Sequence, residues 1–260
     1  MEHLTRKIVC VTGASSGIGE ACARAFAAQG CSLILSARRL DRIERLAAEL
    51  KASSGTRSYT GRLDVREPDA VRKFFDQLPA QWSAIDILIN NAGLSRGLEK
   101  LHEGEVQDWE EMIDTNVKGL LYVSRAVVPA MVRRNSGHII NIGSIAGHQV
   151  YPGGNVYCAT KHAVKALTEG LKMDLLGTSV RVTSIDPGLV ETEFSVVRFH
   201  GDTQRAAKTY EDMQPLTGDD IAEIAVFCAT RPAHVNILEI TVLPTAQASV
   251  SHVARAAQRG

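Results

Sequence analysis

What this 260-residue sequence lacks narrows its role before any motif is read. Its apolar runs all fall well short of the ~20 residues that a membrane-crossing helix requires. The N-terminus, Met1-Glu-His-Leu-Thr-Arg-Lys, has neither the hydrophobic core nor the small-residue cleavage site of a secretory signal. Formal net charge is +0, from 29 basic and 29 acidic residues, and no Lys/Arg-rich run occurs. Neither nucleic acid nor an anionic membrane is therefore an expected partner. Cys10, Cys22, Cys31, Cys158 and Cys228 are odd in number and form no Cys-x-x-Cys pair, and the eight histidines are scattered without ligand spacing. Reduced, buried thiols in a cytoplasmic protein are the expectation, with no metal site. Linkers, internal repeats and low-complexity tracts are also missing. With 45% hydrophobic and 22% charged residues, a soluble globular chain with a sizeable core remains.

What is present is a regular alternation. Residues 7–12, 32–37, 57–63, 85–90, 138–142, 181–186 and 237–243 read as short strands. Helical patterns occupy 20–29, 40–51, 68–78, about 109–134, the stretch carrying Tyr157, and 219–230. In the second of these, Ile43, Leu46, Ala47 and Leu50 follow the 3.6-residue period. Strand–helix alternation predicts an α/β fold, a parallel sheet with helices on both faces joined by right-handed crossovers. One domain covers 1–260, with 187–218 as its only long irregular insertion.

The turn after the first strand reads Gly13-Ala-Ser-Ser-Gly17-Ile-Gly19. Glycine strings also make ordinary tight turns, but between a strand and a helix this one can cradle phosphate. The backbone approaches closely, and the helix N-terminus offers unpaired N–H groups and a positive dipole end. Ser15 and Ser16 add hydroxyl donors. The second strand ends in Ala37-Arg38-Arg39 without an acid. A carboxylate there would bind a ribose 2′-OH and repel a 2′-phosphate, whereas a guanidinium grips the phosphate, so NADP is expected over NAD. The alternative is a solvated helix start in which Asp41 and Glu44 pair with the arginines. Leu63-Asp64-Val65 and Asn90-Asn91-Ala92-Gly93 end the third and fourth strands, where open α/β sheets bind ligands, although Asp and Asn-Gly strings are also common turn formers. Asp64 can accept a hydrogen bond from an adenine amino group. Ser144 ends the fifth strand, and Tyr157 and Lys161 lie four apart on the next helix, sharing one face. Alone, the pair is as readily a chance feature of a helix start as a proton-transfer device.

Together these pieces resemble the short-chain dehydrogenase/reductase family. Thr12-Gly13-x3-Gly17-Ile18-Gly19, Asn91-Ala92-Gly93, Asn116, Ser144, Tyr157-x3-Lys161 and Pro187-Gly188 match its motifs in type, order and approximate spacing. The resemblance implies a three-layer Rossmann fold with a seven-stranded sheet. It also implies a homodimer or homotetramer built through the helices after the fourth and fifth strands. The cofactor would lie on Gly13, Ser15, Ser16, Gly17, Ile18, Gly19, Arg38, Arg39, Asp64, Val65, Asn91, Ala92 and Gly93. Pro187, Gly188, Val190 and Thr192 would wrap the nicotinamide. Tyr157 would be the general acid/base, with Ser144 holding the substrate oxygen. Lys161 would bind the ribose and stabilise the tyrosinate, and Asn116 would position a water leading to solvent. A free tyrosine titrates near ~10, so work near neutral pH needs a downward shift of about three units, or about 4 kcal/mol. A neighbouring ammonium and an oxidised nicotinamide both act in that direction.

Within the family, Trp109-Glu-Glu-Met-Ile-Asp-Thr-Asn, Gly153-Gly-Asn-Val-Tyr and Pro187-Gly-Leu-Val-Glu-Thr-Glu-Phe-Ser are similar to the NADP-dependent 3-hydroxy acid dehydrogenases. That branch oxidises L-allo-threonine, serine and related short acids. Such a substrate needs a cation for its carboxylate, and Arg96 and Arg198 are the candidates. The loop His148-Gln-Val-Tyr151 departs from the branch, and its side chains are expected in the pocket beside Ser144. A carbonyl reductase of another substrate class is the runner-up, favoured by an apolar pocket over 194–210 without a charged anchor. A non-catalytic NADP-sensing regulator is a third reading, against which the filled catalytic positions stand. The polar, Ala-rich tail 246–260 is expected either to be disordered or to reach a neighbouring subunit's site.

Overall fold

The computed structural model of the chain describes residues 4–256. In chain order, β1 (Ile8–Thr12) leads to α1 (Gly17–Ala28), β2 (Ser32–Ala37) to α2 (Leu40–Ser54), and β3 (Ser58–Arg62) to α3 (Pro68–Asp76). β4 (Ile87–Asn90) precedes α4 (Val106–Ile113) and α5 (Leu120–Arg133), and β5 (Gly137–Ile142) precedes α6 (Asn155–Asp174). β6 (Val180–Pro187), α7 (Phe194–Arg198), α8 (Thr203–Lys208), α9 (Gly218–Ala229) and β7 (Glu239–Val242) complete the chain. The strands form one seven-stranded sheet in the order β3-β2-β1-β4-β5-β6-β7, and every neighbouring pair is parallel. The expected three-layer α/β arrangement is thus observed.

Two cores follow from the period-2 geometry of the strands. Val9, Val11, Leu33, Leu35, Ile87, Ile89 and Ile140 point to one face, where Phe26 of α1, Leu46 of α2 and Ile221 of α9 cover them. Cys10, Ile34, Leu88, Ile139 and Val182 point to the other, against Val71 of α3 and Val127 and Met131 of α5. Both faces are covered, so the central strands carry apolar residues in succession, as in Val9-Cys10-Val11, Leu33-Ile34-Leu35, Ile87-Leu88-Ile89 and Ile139-Ile140, rather than at alternate positions. Fully burying each such side chain contributes roughly 1.5–3 kcal/mol. The cysteines belong to this interior: all five are free and buried, and burial pushes Cys10 and Cys22 up to about 12.

Two expectations are refined. The helix expected over 109–134 starts at Val106 and changes winding at Asp114–Gly119, a π-helical turn between α4 and α5. The side-chain pattern continues through that turn, so periodicity alone does not reveal it. The stretch 187–218 is not wholly irregular. It carries α7 and α8, each too short to show an apolar stripe, and Val190 bridges Leu216. Asp202 caps α8 by accepting from the Arg205 N–H, a local signal that a closer reading finds.

One buried group makes the sheet sensitive to acid. His138 on β5 bonds through Nε2 to Thr183 Oγ1 at 2.8 Å, and its Nδ1 has no partner. Burial, aided by Arg181, pushes the imidazole down from 6.5 to about 3. Between those values the unfolded chain holds more protons than the folded one, so stability falls as pH falls. At pH 5 the loss relative to pH 7 should be about 2 kcal/mol. Urea midpoints of the native chain and of His138→Gln at the two pH values should show a flatter response in the variant.

Candidate active site

The carboxyl ends of the strands open into a cavity of about 420 Å³, centred where the strand order reverses between β1 and β4. Of the residues picked from the sequence, only Gly19, Asn116, Arg96 and His148 do not line it. Gly19 acts instead by its lack of a side chain. A Cβ there would lie 2.4 Å from both Gly13 O and Asn91 Nδ2, so only glycine lets α1 start this close to the turn. Gly13 has φ +66°, a left-handed backbone that also favours glycine. Asn91 fastens this turn to β4: its Nδ2 donates to Thr12 O and Gly13 O at 2.9 and 3.1 Å. Thr12 Oγ1 returns the bond by accepting from the N–H groups of Asn91 and Ala92.

The two arginines after β2 separate in space. Arg39 turns onto the glycine loop, donating to Ser15 Oγ through Nε and Nη2 and to Ser16 Oγ at 2.7 Å. Its Nη1 meets Glu193 Oε2 at 2.8 Å. Arg38 lies across the mouth, 3.6 Å from Glu111. Asp64, expected to face an adenine, is gripped by Arg66 through two parallel bonds of 2.9 and 2.6 Å. Burial raises its carboxyl, but Arg66 outweighs this and holds it below the usual carboxylate range. Arg66 was missed because its role depends on the chain turning back within two residues. Its own partner network with Glu111 is tertiary.

Ser144, Tyr157 and Lys161 come together as expected. Ser144 Oγ accepts from the Ala146 N–H, which holds the hydroxyl at the start of a short 3-10 turn. Lys161 Nζ donates to Ile142 O at 2.8 Å and lies 5.9 Å from the centre of the Tyr157 ring. Burial pushes this ammonium down from 10.5 to about 8, opposed by Asp186. The Tyr157 phenol moves the other way. Burial raises it, with Tyr151 adding to the shift, while Arg198 and a hydrogen bond with Ser144 only partly offset these. In the protein by itself burial therefore shifts the phenol away from neutral pH. Asn116 stands behind the pair, in the π-helical turn. It accepts from Leu94 N–H and donates to Leu94 O and Thr160 Oγ1. A Cβ on Gly93 would lie 3.2 Å from its Oδ1 and 3.8 Å from Lys161 Nζ, so Gly93 is the common neighbour of the two.

Packing separates the two arginine candidates. Arg198 Cζ stands 5.2 Å from the Tyr157 and Phe194 ring centres and 5.9 Å from that of Tyr151, whose hydroxyl accepts from Nη2 at 2.9 Å. Its Nε is buried without a partner. Arg96 turns out of the cavity, bonded to Glu111 at 2.7 Å and to Val197 O. His148 is also diverted: Nε2 meets Asp186 at 2.9 Å, and Nδ1 lies 3.9 Å from Glu239. These three residues bring possible metal-ligand atoms within 4.8 Å of one another, a grouping the sequence spacing does not disclose. The two ring nitrogens nevertheless face different carboxylates, and Lys165 already pairs with Glu239. Tyr151 does line the cavity. The tail, as far as residue 256, folds onto its own chain: Gln247 Oε1 accepts from Leu189 N–H, and Gln247 and Val250 line the cavity. Residues 257–260 lie outside the described residues. No periodicity marks Gln247, because its role arises from a loop crossing.

A family model for short chain dehydrogenases matches residues 7–202. The NADP-dependent 3-hydroxy acid dehydrogenase of Salmonella typhi is 53% identical over 241 residues, 92% of this chain and 96% of that protein. Sulfoacetaldehyde reductase 2 of Chromohalobacter salexigens is 46% identical over 242 residues, 93% and 95% of the two chains. Among solved structures, the closed form of serine dehydrogenase complexed with NADP+ superposes with a TM-score of 0.89 at 51% identity, covering 93% of this chain and 96% of its own.

The buried ammonium costs stability. Below pH 8 both folded and unfolded chains carry the Lys161 charge, and the folded one bears the desolvation. Between about 8 and 10.5 the unfolded chain holds more protons, so stability rises with pH. Lys161→Met should therefore be more stable than the native chain at pH 7. Its advantage should narrow by roughly 2 kcal/mol at pH 9.5, read as paired urea midpoints.

Proposed function

The chain belongs to the short-chain dehydrogenase family, and from that premise we propose that it oxidises a short 3-hydroxy acid of the serine or L-allo-threonine kind with NADP. The observation that carries the substrate class is Arg198, a guanidinium in the cavity wall beside Tyr157 whose buried Nε lacks a partner. A carboxylate supplies the missing acceptor and the opposite charge. The cofactor residues fit NADP on similar grounds. The glycine loop presents Ser15 and Ser16 with Arg39 lying across them, and no carboxylate ends β2.

When bound, NADP supplies the acceptor for the hydride leaving the hydroxyl-bearing carbon. The chain's own groups manage orientation and the proton. Arg198 anchors the substrate carboxylate, Ser144 Oγ holds the reacting oxygen, and Tyr157 takes its proton as general base. Lys161 places its ammonium 5.9 Å from the centre of the phenol ring, and Asn116 holds the π-helical turn against Leu94 beside it. Tyr151 fixes Arg198 through its hydroxyl. Pro187, Gly188, Val190 and Thr192 face the nicotinamide end, with Gln247 and Val250 closing it.

A small sulfonate is a second reading, favoured by the relative named for sulfoacetaldehyde, because Arg198 can bind either anion. The chain is further read as one domain over 1–260, located in the cytoplasm. Exposed Leu121, Val132 and Met173 on α5 and α6 support assembly as a homodimer or homotetramer through those helices.

The tests are direct. NADP-dependent oxidation of serine and L-allo-threonine should exceed turnover of bulky apolar ketones, and exclusive activity on the ketones would defeat the substrate class. Tyr157→Phe should lower kcat by roughly 10³-fold or more while NADP still binds. Arg198→Leu should cut kcat/KM for the acid by about 30–100-fold, the loss of one charged hydrogen bond, with much less effect on an uncharged alcohol.

A further inference from the structure

Glu193 is a cavity-lining carboxylate that reaches Arg39, and the reaction makes no use of it. Its Oε2 takes Arg39 Nη1 at 2.8 Å and its Oε1 takes Arg42 Nη1 at 2.6 Å. Arg42 and Arg39 hold this carboxyl below the usual carboxylate range, so it is anionic at neutral pH. The same Arg39 lies over Ser15 and Ser16 on the glycine loop. Glu193 also stands at the entrance of α7, next to Phe194, whose ring meets Tyr157 edge to face at 5.6 Å. Thr192, on its other side, packs within 3.1 Å of where a Gly17 Cβ would be. One side chain therefore ties the arginine that reads the cofactor to the helix that carries Phe194 and Arg198.

We propose that Glu193 is an internal competitor for the cofactor's 2′-phosphate: the phosphate displaces it from Arg39, which frees the α7 segment beside the catalytic tyrosine. A phosphate dianion outcompetes a carboxylate for this fork because it carries more charge and one more acceptor oxygen. Left in place, the carboxylate would stand beside that dianion and repel it. NAD, with a 2′-hydroxyl, has no charge with which to displace Glu193. The chain thus reads the phosphate twice, once as affinity and once as release of the substrate segment. The proposal rests on NADP being the cofactor.

The experiment is a calorimetric titration of the full chain and of Glu193→Gln with NADP+ and NAD+. Removing the competing charge should tighten NADP+ binding by about two- to fivefold, the scale of part-exposed ion pairs, and leave NAD+ binding unchanged. Hydrogen exchange supplies the second readout. Adenosine 2′,5′-bisphosphate should speed exchange over 193–198 in the native chain and AMP should not, while Glu193→Gln should exchange quickly without either. Unchanged or weaker NADP+ binding in the variant overturns the proposal. Equal affinity of the native chain for NADP+ and NAD+ overturns the cofactor assignment as well, so the two failures are distinguishable.

Discussion

The site depends on an ammonium held where water barely reaches it. Lys161 is buried on α6 with its Nζ on the carbonyl of Ile142, the last residue of β5, and burial, opposed by Asp186, brings it to about 8. A charge that is costly to bury is strong toward its neighbours, because little solvent screens it. The geometry around it preserves that condition. Gly93 leaves room for Asn116 on one side, and Asp186, itself buried, opposes the loss of charge from the other. The same burial raises Tyr157, so nearby positive charge is what favours its ionised form.

The sheet makes this arrangement possible. Parallel strands bury both faces and leave their carboxyl ends as the place where polar groups can gather. Along β4 and β5 the apolar run ends in Asn90 and Asn141, which bond to each other at 2.9 Å. Beyond that pair the glycine loop is stitched to β4 by Asn91 and Thr12. The cavity floor is therefore a continuation of the core, whose packing fixes the backbone carrying Ser144 and Lys161.

Legibility was uneven, for physical reasons. Strand and helix placement could be read because they depend on local period, and the meeting of Tyr157 with Lys161 because it depends on spacing along one element. Tyr157 and Lys161 share a helix face whatever surrounds it. Arg96 and Arg198 could not be ranked in this way. Both are cations near predicted loops, and only packing turns one onto Glu111 and the other among Tyr151, Tyr157 and Phe194. His148 shows the same limit: it lies four residues from Ser144, yet Asp186 draws it away from the cavity.

By itself the sequence determined the α/β architecture, the glycine turn between β1 and α1, the acid-free end of β2 and the shared helix face of Tyr157 and Lys161, because each rests on residue type at short range. The tertiary structure decided which arginine lines the cavity, that Arg66 and not solvent holds Asp64, that Gln247 and Val250 wall the chain's own cavity, and that Glu193 shares Arg39 with the glycine loop. Those assignments join residues from 2 to 154 positions apart. Pairings across such distances follow from how helices and loops pack on the sheet, and local spacing carries no record of them.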